Sequence, residues 1–183
     1  MYLWKDMNLT EILSSRIGLS DIRLIVSSVA LDESNQDKLF RLVFDTDPDV
    51  AFRAVWVMSH IVPPANSWLV ERQDELIEEV MRCEHTGKRR VILNVLYLQP
   101  MAGSNRMDFL DFCLERIVSK TEMPGVQSLC IKIAYEIARD VPELLQELQN
   151  TLAMLEDEQS PAIHAAKKNV LKAISKKKSF QIR

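Results

Sequence analysis

Cys83 and His85, two residues apart, are the one close Cys/His pair in the 183-residue chain. A structural zinc site needs a second such pair to complete a tetrahedron, and none follows at ligand spacing, so no metal is expected. The three cysteines, Cys83, Cys113 and Cys130, are odd in number and widely spaced. Cys113 and Cys130 fall on apolar helix faces, which predicts buried free thiols in a reducing cytosol rather than nucleophiles. Adjacent carboxylates occur at Glu78-Glu79 and Glu156-Asp157-Glu158. Both groups read as solvated helix surface, not as an acid/base pair in a pocket. With four glycines in the whole chain, no Gly-rich phosphate loop can form. GxGxxG, HExxH and GxSxG are also missing. No catalytic residue and no cofactor is expected.

Recognition chemistry is better represented. Arg53, Trp56, His60, Arg90, Tyr97, Lys132 and Tyr135 combine cations with aromatic rings, the composition of a surface that binds a protein or peptide. Trp56, Leu93 and Leu96 suit a packed core equally well, and Arg53 suits a bridge to Asp47 or Asp49. Trp4 and Trp68 are expected to clamp helix ends.

The elements that must position these residues repeat along the chain. Small or apolar residues at relative positions 0, +4 and +7 line one face of a helix. They recur as Ala54/Met58/Ile61, Val91/Val95/Leu98, Cys130/Ala134/Ile137 and, more weakly, Lys167/Leu171/Ile174, at intervals of 37, 39 and 37 residues. Each triplet follows an apolar run, at 39–44, 76–80, 109–117 and 144–155, so each unit reads as a helical hairpin. Offsets +2, +5 and +6 point away from the packed face: Trp56, Ser59 and His60; Leu93, Leu96 and Tyr97; Lys132, Tyr135 and Glu136. Arg53 and Arg90 flank them at offset −1. The four glycines fall where helices should break, Pro48, Pro142 and Pro161 suit first helical turns, and Pro63-Pro64 and Pro100 suit helix ends.

The unit DKLFRLVFDTDPDVAFRAVWVMSHI, residues 37–61, resembles a HEAT repeat in its apolar first helix, its Asp47-Pro48 turn and its Arg53-Ala54 pair. The other units depart from it, with Glu84-His85 and Met123-Pro124 at the turn and Lys167 in the small-residue slot. The resemblance implies an all-α, right-handed α-α superhelix of four to five hairpins, in which neighbours stack into one continuous core. As one domain, 1–183, it would comprise an N-terminal cap at about 1–35, repeats at about 36–64, 67–100, 105–140 and 141–177, and a basic tail, 178–183.

It also implies a function: a non-catalytic scaffold that binds a protein or peptide on its concave face. Two alternatives stand beside it. One is a nucleic-acid binder similar to the HEAT-like glycosylases that excise alkylated purines, and the other is a self-assembling element that pairs through uncapped ends, as a homodimer would. Charge opposes the first. Residues 1–166 hold 16 basic and 26 acidic side chains, while 167–183 hold seven basic and no acidic ones. An acidic body repels a phosphate backbone, and the basic end reads as a solvated cap on the last helix. An adenylosuccinate-lyase reading fails on the absent SSxMPxKxN loop. No signal peptide and no membrane span is expected, which places a chain of bacterial type in the cytoplasm.

Overall fold

The four orphan N–H groups that open every helix explain where the helices of this chain begin. The computed structural model describes residues 8–101, 105–155 and 160–181. Among the described residues there are ten α-helices: α1 Leu9–Ser14, α2 Leu19–Val29, α3 Glu33–Leu42, α4 Pro48–Met58, α5 Gln73–Arg82, α6 Thr86–Tyr97, α7 Met107–Val118, α8 Pro124–Ala138, α9 Pro142–Ala153 and α10 Pro161–Lys176. Asp32 and Asp47 accept from the second backbone N–H of α3 and α4 at 2.8 and 2.9 Å, and His85 Nδ1 accepts from Lys88 N at 2.9 Å. Proline opens α4, α8, α9 and α10, where its missing N–H costs nothing. Gly18 caps α2. Gly87 and Gly125, expected as breaks, instead lie in the first turns of α6 and α8. Trp4, Gly103, Glu156-Asp157-Glu158 and the ends of the cap and tail lie outside the described residues.

The chain divides into two compact units, Met1–Arg72 and Gln73–Arg183. In the first, α4 packs against α1, α2 and α3, and Val50, Ala54, Val57, Met58 and Ile61 meet Leu13, Ile22, Val29, Leu39 and Phe40 in a sealed core. A 3-10 turn, Ser67–Arg72, closes this unit. The Trp68 and Phe40 rings meet edge to face with centroids 6.5 Å apart, and the Arg72 guanidinium lies 4.7 Å from the Phe40 ring centroid while pairing with Asp37.

In the second unit α8 is the central helix, packed against α6, α7, α9 and α10. Val126, Cys130, Ile131, Ile133, Ala134 and Ile137 are all buried. Full burial of such an aliphatic side chain stabilises by roughly 1.5–3 kcal/mol. That explains why α8 is apolar on more than one face. Charged latches tie its hairpins together. Glu79, expected on a solvated surface, is buried and held by Lys88 Nζ at 2.6 Å and Arg82 Nε at 2.6 Å. Arg89 donates to the Cys83 carbonyl and to Glu122, whose carboxylate is also buried. A buried charge left alone would be costly, and these pairs remove that cost.

The first three triplets face inward, with Leu98 half-buried at the end of the second. The fourth is a correction. Lys167 and Ile174 are half-buried and Leu171 is exposed, whereas Ala166, Val170 and Ala173 carry the same spacing one residue earlier and are buried. One residue turns the face by about 100°, so α10 packs on the neighbouring stripe.

Candidate functional site

In the first unit the outward residues of α4 are satisfied locally. His60 is exposed and its Nδ1 bonds to the Trp56 carbonyl at 2.8 Å, with the two rings edge to face at 6.0 Å. Ser59 Oγ donates to the same carbonyl at 2.7 Å. Trp56 is half-buried. Arg53 forms the expected bridge: it donates to Asp49 at 2.9 Å and to the Leu13 carbonyl at 2.9 Å.

The second unit brings its outward residues together. Arg90 passes over Gly125, where a Cβ would stand 3.0 Å from Arg90 Cδ, and Lys132 Nζ lies 5.5 Å from the Tyr97 ring centroid. Both pairs are 35 residues apart, so α6 and α8 run side by side in one direction at a fixed offset. That is the arrangement of inner helices in successive hairpins of a repeat array. The family model of the HEAT repeat domain matches residues 9–174. The chain belongs to the HEAT-repeat family. No curated protein and no solved structure matches it.

Across these two HEAT inner helices lies the end of the chain itself. Lys177 adopts a left-handed conformation, φ 50° and ψ 47°, which stops α10 and turns the backbone. Lys178–Gln181 then cross α8 and reach the end of α6. Tyr135 Oη donates to the Lys178 carbonyl at 2.6 Å. Glu136 accepts from Ser179 Oγ at 2.9 Å and from the Phe180 backbone N–H at 2.6 Å. The Phe180 ring meets Tyr135 edge to face at 5.4 Å. Gln181 Nε2 donates to the Tyr97 carbonyl at 2.8 Å and to that of Gln99, while its Oε1 accepts from Met101 N at 3.2 Å.

The reading of the basic end as a solvated cap fits its lysines but not the residues that follow them. Lys176, Lys177 and Lys178 are exposed, but Ser179, Phe180 and Gln181 are half-buried. The strap also explains the electrostatics of the groove. Tyr135 is 1% exposed and Glu136 0% exposed, although both were expected to face outward. Burial first, and the Glu136 carboxylate second, hold the phenols of Tyr97 and Tyr135 above their ordinary range. Arg139 Nε, 3.3 Å from Glu136, supplies the positive charge that a buried carboxylate needs. Beside Tyr135 a cleft of about 450 Å³ opens between Arg139, Pro142, Leu145, Ile174 and Lys177.

Of the seven residues proposed from sequence, Tyr97, Lys132 and Tyr135 converge on this groove. Arg90 lies exposed near the opposite end of α6, and Arg53, Trp56 and His60 belong to the first unit. Leu93 and Leu96 are core. Glu136, Ser179, Phe180 and Gln181 were not among the seven. Their signal was faint: Glu136 is an acid within an otherwise apolar stretch of α8, and Phe180 is a lone aromatic in a polar tail.

The Cys83–His85 pair is turn chemistry, with His85 capping α6 and Cys83 Sγ 3.5 Å from the His85 carbonyl. Among the described residues no cluster of three His, Cys, Asp or Glu could hold a metal ion. Cys113 is fully buried, and burial, reinforced by Cys130, pushes its thiol well above the usual range. A protonated thiol without access is a poor nucleophile. Among the described residues no helix is long and apolar enough to cross a membrane.

Proposed function

We propose that this HEAT-repeat chain is a non-catalytic scaffold whose second unit binds a short non-helical protein segment, in the groove formed by Tyr97, Lys132, Tyr135 and Glu136. The observation that carries the reading is the strap. A short non-helical stretch of chain, bent at Phe180 and Gln181 where the Gln181 N–H donates to Ser179 Oγ at 2.9 Å, already sits across α6 and α8, held by bonds between side chains and backbone, a ring contact and a carboxylate. Groups that hold one such segment present the same donors and acceptors to another. The aromatic faces of Tyr97 and Tyr135 and the neighbouring cation of Lys132 supply the contact types that dominate protein interfaces. Three free cysteines suit a reducing compartment such as the cytoplasm.

The test is to pan a random peptide library on the full chain and measure the affinity of the selected peptides. Tyr97→Ala/Lys132→Glu, with helicity confirmed by circular dichroism, should weaken them at least about tenfold, or about 1.4 kcal/mol. Unchanged affinity for that variant, or a loss seen instead in Trp56→Ala/His60→Ala, would remove the site from the second unit.

A further inference from the structure

We propose that the strap Lys178–Gln181 is an internal competitor for the groove, and that the groove takes short peptides carrying the strap's own triplet: a hydroxyl, an aromatic ring and a carboxamide. This rests on the scaffold reading and adds to it the ligand chemistry and its control.

Each member of the triplet has its own receptor. The Ser179 hydroxyl and the following backbone N–H both donate to Glu136, the Phe180 ring packs on Tyr135, and the Gln181 carboxamide spans the end of α6 from the Tyr97 and Gln99 carbonyls to Met101 N. Each helix C-terminus leaves unsatisfied carbonyls, and a carboxamide N–H is a suitable donor for them. Contacts of this kind depend on a short segment that takes the same bend, closed by the Gln181 N–H on Ser179 Oγ at 2.9 Å, not on its being joined to α10.

The strap is also built to leave. Its residues belong to no helix, they are half-buried or, at Lys178, exposed, and Phe180 is their one large apolar side chain. Segments with few buried apolar contacts open at the low end of the stability range. Lys177, at positive φ, adds the strain of a left-handed non-glycine residue, about 1 kcal/mol. The groove is less tolerant of vacancy. With the strap gone, the fully buried Glu136 carboxylate loses two charge-assisted donors and keeps Arg139. Another N–H and O–H donor pair would restore them. A short tether gives the strap an effective concentration on the order of millimolar, so a micromolar peptide competes poorly until the strap is weakened.

The test titrates a fluorescent peptide, KKSFQIR, into the full chain as wild type, Phe180→Ala and Ser179→Asp. The two variants open the strap by different chemistry, lost ring packing and like-charge repulsion against Glu136. Both should bind the peptide about tenfold or more tightly than wild type, and Phe180→Ala/Glu136→Gln should lose that gain. Amide exchange at residues 178–181 reports whether the strap has opened. Equal affinity in wild type and both variants overturns the competition, as does an unchanged protection of the strap in both. No binding to variants whose strap has opened overturns the ligand chemistry. The panned peptides keep the two proposals apart: they report on the scaffold reading through Tyr97→Ala/Lys132→Glu, whichever way KKSFQIR behaves.

Discussion

Helices α4 and α8 each carry one of the recurring 0/+4/+7 triplets and treat their other residues in opposite ways. On α4, Trp56, Ser59 and His60 close hydrogen bonds among themselves and stay half-buried or exposed. On α8, Tyr135 and Glu136 are sealed beneath residues more than forty positions away. Helical register is therefore shared, while burial is decided by what the rest of the chain lays over each helix. A local bond such as His60 to Trp56 survives any rearrangement elsewhere. The bonds of Glu136 depend on the chain end being in place.

The two units also differ in how they use arginine. Arg89 meets Glu122, whose side chain is 1% exposed, and caps the Cys83 carbonyl. Arg53 meets Asp49, which is 72% exposed, and the Leu13 carbonyl. Arg89→Ala leaves a buried carboxylate with the Met123 backbone N–H at 3.0 Å and Arg116 at 3.8 Å, and should cost about 3–5 kcal/mol. Arg53→Ala loses a screened pair and one hydrogen bond, about 1–2 kcal/mol. Urea unfolding of both variants measures the difference. Comparable losses, or the reverse ranking, would break the distinction between a buried latch in the second unit and a solvent-screened pair in the first.

The repeats could be read from sequence because they are built from local periodicity. Ala54/Met58/Ile61 and Cys130/Ala134/Ile137 announce their buried faces by spacing alone. The fourth triplet misled by one residue because α10 alternates small residues with lysines, and Lys167 is drawn half inward toward the Leu155 carbonyl at 3.4 Å. The strap was hidden for a different reason. Ser179-Phe180-Gln181 has no period, and its partners, Tyr97, Tyr135 and Glu136, are brought to it by tertiary structure. A run of three lysines before it reads as solvated, and those lysines are indeed exposed. The three residues after them do the docking.

A smaller effect sharpens the comparison through pH. Tyr97 and Tyr135 both lie in the second unit, and both phenols are held above the ordinary value of 10.0. A raised folded pKa contributes stability that is intact below the unfolded value and lost as pH rises through the folded one. The second unit should therefore hold steady from neutral pH to about 8.5, where the buried Cys113 thiol begins to oppose ionisation, and loosen further above about 10 as the two phenols do. Ionised Tyr135 would also cease to donate to the Lys178 carbonyl and would repel Glu136. In a tyrosinate absorbance titration, Tyr135→Phe should lose one late-titrating phenol relative to wild type. If the lost phenol titrates like free tyrosine, the strap does not cover Tyr135 in solution.

The smallest effect is expected at His60, and it is the strictest check on the α4 side. Its ring is exposed, its one backbone bond is to a carbonyl four residues back, and the Ser59 hydroxyl already donates to that same oxygen. Removing the ring leaves the Trp56 carbonyl satisfied and uncovers no core residue. His60→Ala should change stability by less than about 0.5 kcal/mol, as surface substitutions away from a network do. Denaturant midpoints of the two proteins should therefore agree closely. A loss of 2 kcal/mol or more, on the order of a buried-network deletion, would mean that α4 too is covered by a distant segment, and the contrast between the two helices would disappear.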